Sequence, residues 1–200
     1  MIKTIVFDIG NVLSQFNYKE HFRKFATDDI IYKKLLQATV LSPEWNELDR
    51  GVWGEEVILE HFIKNDPSIE NVIRDMYSNM KGIMKEYDYS TEWILELKGK
   101  GYQVLVLSNF SELILRTNQE EMKFMKVIDG GILSFREKVI KPDMAIYELL
   151  MKQYDLKAEE CVFLDDREEN IQGAMNAGWK GILFTTQEDA IVKLNEYQVI

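Results

Sequence analysis

The chain has 200 residues, 46% of them hydrophobic and 12% aromatic, with only three prolines; this composition builds an ordered globular core and excludes a disordered or collagen-like chain. Against 24 basic residues stand 34 acidic ones, a formal charge of −10 that repels polyphosphate backbones and anionic lipid headgroups, so neither nucleic acid nor a membrane is an expected partner. The lone Cys161 has no partner for an internal disulfide, no apolar run approaches the ~20 residues of a membrane span, and the first residues lack a signal peptide's apolar stretch; the expectation is a cytoplasmic protein, monomer or small homo-oligomer, acting on a small molecule.

Residues 2–7, rich in β-branched side chains, predict a first strand, apolar on both faces as strands of a parallel sheet are. Helical patterns follow over residues 19–25, 29–38, 55–64 and 69–85, the last with Val72, Ile73, Met76, Met80 and Met84 at helical spacing, and no strand is expected among them. Residues 15–88 therefore read as an all-helical insertion, with 1–14 and 89–200 forming one α/β core and hinges near Ser14 and Tyr89. A helix over 91–100, ended by Gly101, leads to a second strand over 103–107. Pro142 fits the first turn of a helix carrying Ile146, Tyr147, Leu149 and Leu150; a third strand over 161–164, a helix over 170–177 and a fourth strand over 181–184 complete the pattern. The fold class is thus α/β, a doubly wound, Rossmann-like parallel sheet with a helical cap inserted after the first strand. Such an insertion stands over the strands' C-terminal edge, where open α/β sheets bind ligands, and is a candidate lid.

Chemistry-bearing residues gather at that edge. Strand one ends in Phe7-Asp8-Ile9-Gly10-Asn11-Val12, a carboxylate at the tip followed by a glycine able to turn sharply; taken alone it reads more readily as turn chemistry. Strand two ends in Leu107-Ser108-Asn109, whose hydroxyl, amide and main-chain N–H groups suit an anionic oxygen. Lys141 precedes the Pro142 helix and can counter negative charge at the same edge. Strand three ends in Leu164-Asp165-Asp166, and neighbouring buried acids are costly unless a cation joins them; Asp8, Asp165 and the Gly10 carbonyl form an oxygen set that suits Mg2+.

With these four motifs the chain resembles the haloacid dehalogenase superfamily over its full length, Asp8 standing as the first motif, Ser108 the second, Lys141 the third and Asp165-Asp166 the fourth. Phe7 to Val12, Lys141-Pro142, Phe163 to Asp166 and Asn170-Ile171-Gly173-Ala174 look like the branch of subfamily IA that contains α-glucose-1-phosphate phosphatase. The resemblance implies a Mg2+-dependent phosphatase of a small phosphomonoester, a sugar 1-phosphate being one form. Asp8 would be the nucleophile that carries an aspartyl-phosphate, Lys141 the charge stabiliser and Ser108 the phosphate binder. Asn109, Gly10 and Asn11 would contact substrate, and Asp166 would join the metal directly or through water.

One departure from the family pattern matters: where a second Asp usually follows the nucleophile by two residues as general acid and base, this chain has Gly10. A good leaving group, a water or a cap carboxylate would have to serve instead, Asp49 in Leu48-Asp49-Arg50-Gly51 being one conceivable donor, although Asp49 and Arg50 read more readily as a solvated turn pair. Two other activities use the same residues: displacement at carbon by Asp8, as in haloacid dehalogenases, and metabolite binding or regulation with little turnover. The Asp165-Asp166 pair favours phosphoryl chemistry, since carbon–halogen displacement needs no divalent cation. His21 and His61 lack partners for a transition-metal site, Cys161 reads as a packed hydrophobe, and Trp45 and Trp53 serve packing or stack on a ring.

Overall fold

The computed structural model describes residues 1–199. Among the described residues there are seven strands and eleven α-helices. After β1 (Thr4–Phe7) and β2 (Ser14–Phe16) come five helices, α1 (Tyr18–Arg23), α2 (Asp29–Ala38), α3 (Pro43–Arg50), α4 (Glu55–Asn65) and α5 (Glu70–Ser78), and then β3 (Met84–Glu86). The remainder runs α6 (Ser90–Gly99), β4 (Gln103–Ser108), α7 (Glu112–Asn118), β5 (Gly130–Leu133), α8 (Ser134–Glu137), α9 (Met144–Tyr154), β6 (Cys161–Asp165), α10 (Glu168–Asn176), β7 (Lys180–Leu183) and α11 (Gln187–Glu196).

Five strands form a parallel sheet in the order β5-β4-β1-β6-β7, the doubly wound α/β arrangement, with β1 at its centre. The two-residue period of a strand sends Ile5 and Phe7, Val104 and Val106, Val162 and Leu164 to one face, and Val6, Leu105, Leu107 and Phe163 to the other. The second face packs on Ile146, Tyr147 and Leu150 of α9 and Ile171 and Ala174 of α10. The first is continuous with the interior of the helical segment, where Trp45, Ile58, Phe62, Ile73 and Met76 are buried. Register aligns the tips: Phe7 pairs with both Leu164 and Val106, so Asp8, Asp165 and Ser108 emerge side by side.

Four expectations are corrected. Residues 14–16 and 84–86 are strands, paired antiparallel as a ribbon at the root of the helical segment, although no strand was expected there. The helix predicted to run to residue 85 stops at Ser78, because Asn118 captures the chain beyond it: its Oδ1 accepts from the Gly82 and Met84 N–H groups and its Nδ2 donates to the Met80 carbonyl. Asp49 and Arg50, read as a solvated turn pair, lie in the last turn of α3, which has Pro43 in its first turn and is ended by Gly51, at φ 70°, in the left-handed conformation. Pro142 lies before its helix: the Lys141–Pro142 peptide is cis and α9 begins at Met144, with Asp143 as its N-cap. A fifth sheet strand, β5, was not anticipated, because Gly130-Gly131 interrupts the apolar pattern. A Cβ on Gly131 would meet the Val106 carbonyl oxygen of β4.

Candidate active site

The strand tips close around one cation. The Lys141 ammonium donates to Asp8 Oδ1 at 2.7 Å and to Asp165 Oδ2 at 2.6 Å, and stands 5.1 Å above the centre of the Phe163 ring. Its main chain is clamped by Asn109, whose Oδ1 accepts from the Lys141 N–H at 2.7 Å while its Nδ2 donates to the Lys141 carbonyl at 3.0 Å. Asn109 therefore aims the lysine as well as lining the cavity. Asp165 is fixed from behind: the Arg167 N–H donates to Oδ1 at 2.8 Å, and Asn170 Nδ2 reaches both carboxylate oxygens at 3.0 Å. Tyr147 in turn donates to the Asn170 carbonyl. Asn11, in the left-handed region at φ 56°, donates from Nδ2 to Asp166 Oδ2 at 2.9 Å, and Ser108, buried at its strand end, favours the ionised form of Asp8.

All eight candidate residues thus converge. Asp8, Asp165 and Asp166 each offer a carboxylate oxygen within 4.8 Å of the others, a set of hard oxygen donors that fits a divalent ion such as Mg2+. The Gly10 carbonyl accepts no hydrogen bond from a described residue, which leaves its oxygen free as a further donor. Electrostatics agrees with a site short of positive charge. Burial pushes the Asp8 carboxyl up to about 6, with Lys141 pulling it down and Asp165 adding to the rise. Burial also raises Asp166, against the hydrogen bond from Asn11. Lys141 is held above its ordinary value, its desolvation being outweighed by the two carboxylates, Asp165 and Asp8.

These groups form the floor of a cavity of about 650 Å3. Its wall comes from β2, the helical segment and the start of α7 with the loop before it, and is mostly apolar, with Phe16, Tyr18, Val40, Trp45, Phe110 and Ile114. Ser42, Asn46 and Asp49 of the α3 face interrupt it. Asp49 is not half of a solvated pair. Helix α3 turns Arg50 outward to Glu47 and Asp143 while Asp49 lines the cavity, and burial together with the Asp8 charge pushes its carboxyl up to about 7, against Lys141 and Arg167.

Sequence reasoning missed Asn170, the main chain of Arg167 and the cavity side of α3 as parts of the site. A position five residues past Asp165 at a helix start was the available signal for Asn170, and Pro43 and Gly51 were the signals for α3. Among the described residues no histidine or cysteine joins a metal-ligand cluster. His21 is bonded to the Asn79 carbonyl and His61 stacks on Trp53. Burial lifts the Cys161 thiol to about 12. Lys138 donates to the Gly51 carbonyl and Arg136 lies over the Phe135 ring. No helix among the described residues is long and apolar enough to cross a membrane.

The family model for haloacid dehalogenase-like hydrolases matches residues 2–178. The chain is similar to the sesquiterpene phosphatase astK of Aspergillus oryzae, 25% identical over 97% of this chain and 95% of that protein. It is also similar to the glyceraldehyde 3-phosphate phosphatase of Methanothermobacter thermautotrophicus, 25% identical over 94% and 87%. A haloacid dehalogenase-family enzyme of Bacteroides thetaiotaomicron, solved with magnesium and inorganic phosphate, shares the fold with a TM-score of 0.72 at 18% identity, over 94% of this chain and 96% of that one. With that family model covering most of its length, the chain belongs to the haloacid dehalogenase-like hydrolases.

Proposed function

We propose that this hydrolase is a Mg2+-dependent phosphatase of small phosphomonoesters. The observation that carries the reading is the Lys141 ammonium held between Asp8 and Asp165, with Asp166 completing an acidic trio at the cavity. An Asp8 carboxylate oxygen attacks phosphorus and the bond to the leaving oxygen breaks. Water then attacks the aspartyl-phosphate and frees Asp8 and inorganic phosphate. Ser108 and Lys141 hold the phosphoryl oxygens as charge spreads over them, while Asn109 keeps Lys141 aimed and Asn170 keeps Asp165 turned inward. Asp8, Asp165, the Gly10 carbonyl and Asp166, directly or through water, would hold Mg2+, which when bound neutralises charge on the transferring group. Residues 15–88 act as a cap on a core of 1–14 and 89–200, with the β2–β3 ribbon as its root. The phosphatase names of two relatives, and the magnesium and phosphate in a structural neighbour, support this assignment. The trio of acids argues against displacement at carbon.

Within the phosphomonoesters, a sugar 1-phosphate meets few polar partners on the wall, whose aromatic and aliphatic surface favours a substrate with an apolar carbon frame. The test is phosphate release from a panel of sugar 1- and 6-phosphates and alkyl, isoprenoid and aryl phosphates, with Mg2+ or EDTA, against an Asp8→Asn control. Turnover is expected to need Mg2+ and to fall at least ~1,000-fold in the variant. Equal turnover in EDTA, or in Asp8→Asn, would overturn the reading.

A further inference from the structure

We propose that Asp49, on the cavity face of α3, is the general acid and base of the reaction, the role for which Gly10 has no side chain. The inference rests on the phosphatase reading and adds to it the missing proton carrier.

Placement is the first argument. An in-line displacement sends the leaving oxygen away from Asp8 into the cavity, and Asp49 of α3 lines that same cavity together with Asp8 and Lys141. The carboxyl makes no hydrogen bond or ion pair with any described residue, and what acts on it is burial and the charges of Asp8, Lys141 and Arg167. The second argument is how firmly its main chain is held. The Asp49 carbonyl accepts from Ser134 Oγ at 2.6 Å, and the same Oγ accepts from the N–H of Phe110, two residues beyond Ser108. One residue later Arg50 pairs with Asp143 at 3.4 Å, and after that the Gly51 carbonyl accepts from Lys138. Gly51 lies so close to Phe135 that a Cβ would overlap its main chain at 2.9 Å. Core and cap are thus pinned together at the segment that carries this carboxyl, which a turn pair in solvent would not need.

The proton balance closes with one group. Protonated Asp49 gives its proton to the leaving oxygen as the P–O bond breaks, so the alcohol departs neutral. Water takes the vacated side and attacks the aspartyl-phosphate, passing a proton to the Asp49 carboxylate as the bond to Asp8 breaks. Phosphate leaves, and both carboxyls return to their starting states. A carboxyl that titrates near 7, raised by burial and by Asp8 against Lys141 and Arg167, suits both halves at neutral pH.

The experiment compares wild type with Asp49→Asn on two substrates in saturating Mg2+: an alkyl phosphate, whose alkoxide leaves poorly, and 2,4-dinitrophenyl phosphate, whose phenolate needs no proton. For the alkyl ester kcat/KM is expected to fall by ~100-fold or more, the usual worth of a positioned acid. Its decline above pH ~7 in wild type should disappear. For the dinitrophenyl ester kcat/KM should change less than about threefold, while phosphoenzyme accumulates because water attack has lost its base. Similar losses on both esters, or none on the alkyl ester, would overturn the assignment. Release from neither ester by wild type would instead overturn the phosphatase reading on which it rests. Circular dichroism and thermal melts of the isosteric variant separate a chemical loss from a folding one.

Discussion

The floor of the cavity and the wall facing it are held by different means. On the floor, register alone brings Asp8, Ser108 and Asp165 together, and Lys141, Asn109 and Asn170 lock the carboxylates with bonds of 2.6–3.0 Å deep inside the protein. On the wall, α3 sets Asn46 and one unbonded carboxyl among apolar side chains, and is joined to the core through main-chain carbonyls, an ion pair and a glycine contact. A fixed charged floor suits chemistry common to every phosphomonoester. A wall carried by a separate segment lets the alcohol portion and the proton carrier differ without disturbing the floor.

Lys141→Met breaks the floor and carries the largest expected effect. It removes the one ammonium bonded to two buried carboxylates, so turnover of every substrate, dinitrophenyl phosphate included, should fall by on the order of 100- to 1,000-fold. Unfolding free energy should drop by about 3–5 kcal/mol, as when one partner of a buried pair is deleted. Mg2+ should restore part of that stability, because it supplies charge to the same carboxylates. Urea titrations with and without Mg2+ read the difference, and equal curves would separate Lys141 from the cation site.

Asn118→Ala attacks the root of the helical segment instead. It leaves the Gly82 N–H without its partner, takes one of two donors from the Met80 carbonyl and removes one acceptor from Met84, at an expected cost of about 2–3 kcal/mol. Because Asn118 lies outside the floor, kcat for dinitrophenyl phosphate should stay within about threefold. A collapse of that rate as large as the one from Lys141→Met would mean that floor and wall are not separable.

The floor was far more legible in the sequence than the wall. Apolar runs ending in Asp8, Ser108 and Asp165 announce strand tips, since a parallel sheet buries both faces and must place its polar groups at the ends. What stayed hidden depends on contacts distant in sequence. β5 has two glycines because a Cβ would meet Tyr154 at Gly130 and Val106 at Gly131, which a pattern search sees only as a break. β2 and β3 exist through each other and through Asn118, more than thirty residues further on. Asn170 and the Arg167 N–H belong to the site only because α10 starts where the Asp165 carboxylate points. For Asp49, the residues alone permit a turn; that it faces Asp8 follows from Gly51 docking on Phe135, a fact of tertiary packing.

The smallest expected effect tests the wall without using turnover. The Asp49 carboxyl is raised from an ordinary 3.8 to about 7, so the folded protein binds its proton more tightly than the unfolded chain does. Below pH ~4 both states are protonated and the residue contributes nothing. Between pH ~4 and ~7 the unfolded chain loses the proton first, and stability falls as pH rises through that window; above ~7 the full cost is present. Asp49→Asn cannot ionise and escapes that cost. The variant should therefore melt with wild type at pH 4 and above it at pH 8, in EDTA. A three-unit shift corresponds to ~4 kcal/mol at most, and because the carboxyl opens onto the cavity about 1–2 kcal/mol is expected, a rise of roughly 2–8 °C. A stabilisation equal at both pH values would trace to better packing of the amide. A variant less stable at pH 8 would mean that Asp49 is held ionised by Lys141 and Arg167, and a carboxylate so held has no proton to give a leaving oxygen.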